Sequence, residues 1–285
     1  MTRADLAQRI VVALGRQVVA SRPLGGGCVA DVRELELDDG SRCVAKVARA
    51  GGLDVEAWML RYLAAHTRLP VPAVLHAEDT LLVLAHVACD AGGIGPAAQC
   101  DAADHLAALH DVRCARFGLE RDTVIGGLPQ PNAWSGSWCD FFRDRRLQFM
   151  GRRALDAGAI SPACFARLER LCARLDEWIV EPDCASLVHG DAWAGNVLLR
   201  DGRVAAFIDP AIYYADPEVE LAFVTLFSTF GDVFFRRYRE HRRIAPGFFE
   251  SRRDLYNVYP LLVHAVLFGR GYGESVDRTL RRWVG

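Results

Sequence analysis

Leu187-Val-His189-Gly190-Asp191-Ala-Trp193-Ala-Gly195-Asn196-Val-Leu-Leu-Arg-Asp-Gly202-Arg-Val-Ala-Ala-Phe-Ile-Asp209-Pro210 is the stretch on which the rest of the chain turns. Its apolar runs, 186–188, 197–199 and 204–208, are short and bounded by Gly, Asp and Asn. That is the pattern of brief buried strands joined by tight polar loops. The polar residues therefore fall at strand ends. Asp191 comes first, Asn196 follows five residues later, and Asp209 closes the next strand thirteen residues after that. The set offers one carboxylate able to take a proton, plus an amide oxygen and a second carboxylate of the kind that hold a hard divalent cation.

Turns favour Gly, Asp and Asn without any chemistry, so His-Gly-Asp alone says little. The order and gaps of all three oxygen groups say more. His189-Gly190-Asp191 stands where protein kinases write His-Arg-Asp, and Asp209 stands where they write Asp-Phe-Gly. In phosphoryl transfer such a set orients the attacking hydroxyl and holds Mg²⁺ against the nucleotide phosphates. The longer run, His-Gly-Asp-x-Trp-x-Gly-Asn followed by Phe-Ile-Asp-Pro-Ala-x-Tyr-Tyr, resembles the fructosamine kinase (ketosamine 3-kinase) family. That family is a branch of the aminoglycoside phosphotransferase and choline kinase group.

The 285 residues, 51% of them hydrophobic, suffice for one large or two small domains with a sizeable core. Lys plus Arg is 34 against 36 for Asp plus Glu, a net charge of -2. This gives no electrostatic footprint for nucleic acid or an anionic membrane. The nine cysteines include no Cys-x-x-Cys pair, and no signal peptide precedes them, which points to reduced thiols and a cytoplasmic protein. No apolar run approaches a membrane-spanning length.

Upstream, residues 2–14 read as a capped amphipathic helix that stops at Gly15. Residues 17–23 and 29–37 read as strands around Leu24-Gly25-Gly26-Gly27-Cys28, and Asp38-Asp39-Gly40 turns the chain into a third strand, 41–47. Consecutive glycines let a backbone approach phosphates and donate N–H groups, although a plain hairpin also uses them. Lys46 is the one ammonium in the apolar run Cys43-Val-Ala-Lys-Val, and Glu56 falls ten residues on in a helical pattern over Leu53–His66. A Lys–Glu pair at this place is what fixes an ammonium over nucleotide phosphates in kinases. Residues 71–77 and 80–87 read as two further strands, the second strongly apolar.

Residues 97–110 read as an alanine-rich helix in which His105 and His110, five apart, face different sides. His110 reads as a satisfied core residue rather than a metal ligand. The segment from Phe117 through Asn132 and Trp134 to Phe142 matches the family again and is expected to border the substrate groove, unless its aromatic residues only anchor a core. Residues 161–180 read as one long helix begun by Ser161-Pro162. After Asp209, a helix over 218–227 follows the cap Asp216-Pro217, with Glu218 and Glu220 in register with the family's Glu-x-Glu. The remainder, 230–241, 247–268 and 274–284, reads as helical and carries His264.

Together these features predict an α/β, two-lobe, protein-kinase-like fold: an antiparallel-sheet nucleotide lobe over 1–85 and a mainly helical catalytic and substrate lobe over 86–285, with the active site between. The resemblance implies ATP-dependent phosphorylation of a ketosamine sugar hydroxyl, on a small molecule or a protein. Asp191 would be the base, and Asn196 and Asp209 would hold Mg²⁺. Lys46 with Glu56 would hold phosphates, Gly25, Gly26, Gly27 and Cys28 would cover them, and Trp193, His264, Asn132 and Trp134 would meet the substrate. An aminoglycoside- or choline-type phosphotransferase, or a nucleotide-binding pseudokinase module, are the competing readings. The chain is expected to act as a monomer, or as a homodimer linked by oxidation of Cys28.

Overall fold

The computed structural model describes residues 3–25 and 30–285, so the expected phosphate tip Gly26-Gly27-Cys28 lies outside the described residues. The chain divides into two compact units, Met1–Gly93 with Gly195–Pro210, and Ile94–Ala194 with Ala211–Gly285. The single boundary expected near Ala85 would leave 195–210 with the second lobe, whereas the segment groups with residues 1–93. Backbone bonds explain why that segment belongs to the first unit. The Phe207 N–H donates to the Pro70 carbonyl at 2.8 Å, and the Asp90 N–H donates to the Leu199 carbonyl at 2.7 Å.

In the first unit, α1 (Arg3–Leu14) precedes β1 (Val18–Pro23), β2 (Ala30–Leu37) and β3 (Arg42–Ala48), and α2 (Leu53–His66) precedes β4 (Val74–Glu78) and β5 (Leu81–Ala85). The sheet is antiparallel throughout, in the order β1-β2-β3-β5-β4. The β2–β3 turn works as read: Gly40 has φ +79°, and Asp39 Oδ1 accepts the N–H and hydroxyl of Ser41 at 3.0 and 2.6 Å. β4 starts at Val74 rather than 71, because Pro72 has no N–H to give a ladder.

β5 is continuously apolar because both of its faces are covered. Leu81 and Val83 pack with Leu6 and Ile10 of α1, whereas Leu82 and Leu84 pack with Leu53, Ala57 and Leu60 of α2. Side chains alternate along the neighbouring strand β3 in the same way. Cys43 and Ala45 join the α1 core and Ala48 joins the α2 core. Lys46 shares the parity of Ala48, and so emerges on the side of the sheet that α2 covers.

The second unit is mainly helical, beginning with α3 (Pro96–His110). Its small sheet pairs Ala185–Val188 with Tyr213–Ala215 on one side and Arg113–Cys114 on the other, both antiparallel. The expected long helix from 161 is shorter: Ser161 Oγ caps it by accepting the Cys164 N–H at 3.1 Å, but it ends at Cys172. There the Arg174 N–H turns to the Leu171 carbonyl, a bond of the tighter i−3 kind, and Leu175–Glu177 is a separate 3₁₀ turn. The expected helix 247–268 is split into a π-helical turn Phe248–Arg252 and the α-helices Arg253–Tyr256 and Val258–Phe268. Pro260 lies in the first turn of the last, where a missing N–H costs least. Among the described residues no helix is long and apolar enough to cross a membrane.

The helix Glu218–Leu226 starts on buried acids. Asp216 Oδ1 accepts the Glu218 N–H at 2.9 Å, and Asp216 Oδ2 accepts the Tyr256 hydroxyl at 2.6 Å. Glu218 makes a two-pronged pair with Arg252 at 2.6 and 2.9 Å. Burial, reinforced by the charge of Glu218, pushes the Asp216 carboxyl up to about 7 from its ordinary 3.8. A carboxyl whose folded pKa is raised favours folding in its protonated form, so that contribution is full below pH 3.8 and lost as pH rises towards 7. Urea unfolding across this range should therefore show the wild type losing stability relative to Asp216→Asn as pH rises, with the gap constant above pH 7. Parallel pH profiles would reject the assignment.

Candidate active site

The first unit collects four of the residues singled out in the sequence. The hairpin Val197–Arg200 and Arg203–Phe207 pairs Val197 with Phe207, and the Ile208 N–H donates to the Asn196 carbonyl at 3.0 Å. Asn196 and Asp209 are thus brought to the same end of the hairpin. Asp209 sits there at φ +55°, a left-handed conformation that Asp adopts more readily than most residues. The Lys46 ammonium donates to Glu56 Oε1 at 2.7 Å and to Asp209 Oδ1. Burial alone would lower the Lys46 pKa, but attraction to Glu56 and then Asp209 outweighs it, and the ammonium is held above its ordinary range. Glu56 shifts up as well, because burial and the neighbouring Asp209 charge oppose the help it receives from Lys46. Two carboxylates around one ammonium leave this cluster short of positive charge.

The second unit holds the other group. Strand Ala185–Val188 delivers His189, fully buried, and then Gly190 at φ +83°. A Cβ at Gly190 would lie 2.2 Å from the Ala211 carbonyl oxygen, so glycine is required by space as well as by conformation. The Ala211 N–H in turn donates to the His189 carbonyl at 2.8 Å. The loop's two N–H groups before Asp191 both go to one buried carboxylate: His189 N–H to Glu220 Oε2 at 3.1 Å and Gly190 N–H to Glu220 Oε1 at 2.7 Å. Behind it stands His110, whose Nε2 is 3.0 Å from Glu220 Oε2 and whose Nδ1 is 2.7 Å from the Tyr238 hydroxyl. Burial would raise the Glu220 carboxyl, but its bond to His110 and the Gly190 N–H hold it below its ordinary value.

Asp191 follows this clamp, and the Trp193 N–H donates to the Asp191 carbonyl at 3.0 Å. The Trp193 ring remains 38% exposed and meets Phe227 edge-on at 6.1 Å, and Phe227 in turn meets His264 at 4.8 Å. The other two substrate candidates are elsewhere. Asn132 is fully buried, its amide committed to Thr123 Oγ1 at 2.8 Å and the Arg121 carbonyl, and its oxygen to Arg146 at 2.7 Å. These bonds give Asn132 a structural task, holding the hairpin of Thr123–Ile125 and Leu128–Gln130 against the π-helical turn Phe142–Gln148. Trp134 is half-buried under the Arg116 guanidinium at 5.0 Å.

Sequence pattern marks Glu220 only as a register match and His110 only as a core histidine. Their joint hold on the His-Gly-Asp backbone depends on side chains 110 residues apart, a spacing no local pattern encodes.

A small antiparallel sheet with a buried Lys–Glu pair, followed by a strand-end acid, amide and acid, defines the class: a kinase-like phosphotransferase. The comparisons narrow it. The profile of the Fructosamine kinase family matches residues 3–284, and the chain belongs to that family. It is 33% identical over 234 residues to the "Probable ketoamine kinase" of Lactiplantibacillus plantarum, covering 81% of each chain. It is 36% identical over 179 residues to the "Probable ketoamine kinase slr1563" of Synechocystis, 62% of this chain and 59% of that protein. Among solved structures, a Thermobifida fusca protein assigned as a fructosamine-3-kinase superposes with a TM-score of 0.86 at 31% identity, covering 98% of both chains. An aminoglycoside phosphotransferase in complex with gentamicin, at 17% identity and a TM-score of 0.70 over 99% of this chain and 97% of that one, shares the fold.

Glu220→Gln keeps the shape of the clamp but replaces one acceptor oxygen by an N–H₂ group facing backbone donors. It should lower stability by about 1–3 kcal/mol, the cost of an unmatched buried group. Displacement of the adjacent Asp191 should also cut kcat by one to two orders of magnitude, roughly the effect of a 1 Å misplacement. Denaturant unfolding and steady-state rates check both, and an unchanged kcat would show that the loop holds its position without the carboxylate.

Proposed function

We propose that this chain transfers the γ-phosphoryl group of ATP to a hydroxyl of a ketosamine, the sugar–amine adduct itself or the same adduct on a protein. The 3-hydroxyl is the acceptor if the family's chemistry carries over. The observation that carries the reading is the buried Lys46 ammonium between Glu56 and Asp209. Buried ion pairs add little to stability, so an ammonium kept with two acids points to a use, and binding nucleotide phosphates is the use kinases make of it.

Asp191 would accept the proton of the attacking hydroxyl as its oxygen bonds to the γ-phosphorus and the bond to the leaving ADP breaks. Glu220 and Ala211 fix the backbone that aims it. Lys46 would neutralise phosphate oxygens, with Glu56 holding it in place. Asn196 and Asp209 supply an amide oxygen and a carboxylate, the donors a hard cation takes, and the cluster's deficit of positive charge fits Mg²⁺. The Asp209 side chain stays 42% exposed while Oδ1 meets Lys46, so it remains accessible to such an ion. Bound there, Mg²⁺ would add charge neutralisation at the phosphates. Trp193 would stack on the sugar.

Asp191→Asn should retain nucleotide binding and lose about 10²–10⁴-fold in kcat, the usual range for a general base. Asp209→Asn should instead raise KM for Mg²⁺–ATP. The measurement is ATP turnover with fructosyl- and ribulosyl-lysine beside an aminoglycoside panel. No turnover with any ketosamine overturns the reading, and near wild-type kcat in Asp191→Asn overturns the assignment of the base.

A further inference from the structure

The short hairpin of Thr123–Ile125 and Leu128–Gln130 turns polar side chains inward. Its turn is Gly126-Gly127, both at positive φ (+54° and +77°), the two-residue connection that matches strand twist. The register opposes Thr123 to Gln130, so their side chains share one face, and both are buried. A pairing one residue out would send them to the other face. The register therefore places two polar groups where apolar ones would carry no desolvation cost. The hairpin lies along the helix Val258–Phe268: Gly126 abuts Leu267, whose Cδ1 would be 2.6 Å from a Cβ there, and Gln130 meets Tyr259. Eight residues of helix and four of strand each span roughly 12–13 Å, so both contacts are made at once.

Gln130 uses its whole amide. The Ala211 carbonyl can only accept, so the Gln130 Nε2 faces it at 2.9 Å and donates its other hydrogen to Thr123 Oγ1, also at 2.9 Å. Gln130 Oε1 then accepts the Tyr259 hydroxyl at 2.8 Å. Ala211 is the residue on which the Asp191 turn rests: its N–H donates to the His189 carbonyl at 2.8 Å, and its carbonyl oxygen fills the space a Cβ of Gly190 would need. Behind Gln130 the fully buried Arg146 donates to the Pro131 carbonyl and to Asn132 Oδ1, both at 2.7 Å. Gly190 also borders a cavity with room for about one water, lined in addition by Tyr213, Glu220 and Tyr259. On that side the turn is not wedged by a side chain, so polar tethers hold it there rather than close packing.

We propose that Gln130, oriented by Tyr259, is a positioning residue for Asp191. Through Ala211 it forms a second tether on the His-Gly-Asp turn, beside Glu220, which holds the same turn by its N–H groups. This rests on the reading of Asp191 as the base of the kinase reaction, and adds to it a residue from a separate hairpin on which that base depends.

The test uses Gln130→Met, which keeps the length and removes the hydrogen bonds, and Tyr259→Phe, which removes only the hydroxyl that orients the amide. Leu168→Ala, a cut in the buried face of helix Pro162–Cys172, supplies a loss of stability without touching the turn. Well below the unfolding transitions, kcat and KM are measured with fructosyl-lysine, and hydrogen exchange is followed in a peptide spanning 186–196. Gln130→Met should lower kcat by about 10–10²-fold, the scale of a 1 Å misplacement, with KM for ATP unchanged and faster exchange in the peptide. Tyr259→Phe should show a smaller change of the same kind, and it carries the comparison if Gln130→Met does not fold; Leu168→Ala should show neither change. Combined with Glu220→Gln, Gln130→Met should lower kcat by less than the product of the two single effects, because either one already frees the turn. Wild-type kcat in Gln130→Met, an equal loss of kcat in Leu168→Ala, or single effects that simply multiply overturns the positioning role. If the wild type phosphorylates no ketosamine, the kinase reading falls and exchange alone decides. Faster exchange in Gln130→Met but not in Leu168→Ala then supports the tether, and equal exchange overturns it.

Discussion

One ammonium ties the first unit together. Lys46 projects from β3 to the face covered by α2, meets Glu56 there, and meets Asp209 at the end of a hairpin that enters the unit 163 residues later in the chain. Each of these placements has a separate cause. Strand alternation sets the side on which Lys46 emerges, the apolar stripe of α2 sets the side that Glu56 presents, and backbone bonds to Pro70 and Leu199 dock the hairpin. A buried pair is weak ground for stability, since removing its charges for apolar residues is often neutral or better. Its presence with two acids rather than one is therefore better explained by what the site must bind than by what the fold requires.

The second unit solves a different problem, which is holding a turn with no regular structure in one conformation. After strand Ala185–Val188 the chain cannot continue its ladder, because Gly190 turns it at positive φ against Ala211. Two N–H groups are left without strand partners. Glu220 takes both, and being the first turn of its own helix it is well placed to remain ionised near a positive helix end. His110 Nε2 then meets the same carboxylate, and the Tyr238 hydroxyl meets the other ring nitrogen of His110, so the loop is referred to three helices at once. The carboxylate that positions the loop is thus itself positioned, and its low pKa follows from that saturation rather than from exposure.

Local pattern made much of this legible. The Leu53–His66 helix runs as read, the hairpin at Gly40 is where the Asp-Asp-Gly signal placed it, and the three strands flanking Asp191, Asn196 and Asp209 fall within a residue or two of expectation. What pattern missed is non-local. Nothing in 195–210 announces that it packs with residues 1–93, because its strands are apolar in either setting. Asn132 looked like a substrate contact because it sits in a family motif among aromatics. Its partner is Arg146, fourteen residues on, a fully buried guanidinium lying 3.9 Å over the Tyr213 ring and bonded to the Pro131 carbonyl. A sequence reading counts an Arg as surface, and so it leaves a neighbouring Asn free to face the ligand.

The same bias explains why the aromatic run from Trp193 to Phe268 was visible only in fragments. Each ring taken singly, Phe227 at a helix end or His264 at the i, i+4 spacing before Phe268, is what any amphipathic helix contains. Their juxtaposition depends on Gly269, whose positive φ reverses the chain and adds Tyr272 to the cluster. A helix that continued through this point would carry Tyr272 four residues beyond Phe268, on the same stripe but about two turns away from His264. The break at Gly269 therefore does more than end a helix: it brings Tyr272 within 5.1 Å of His264 and 6.1 Å of Phe268, and Phe268 stays half exposed.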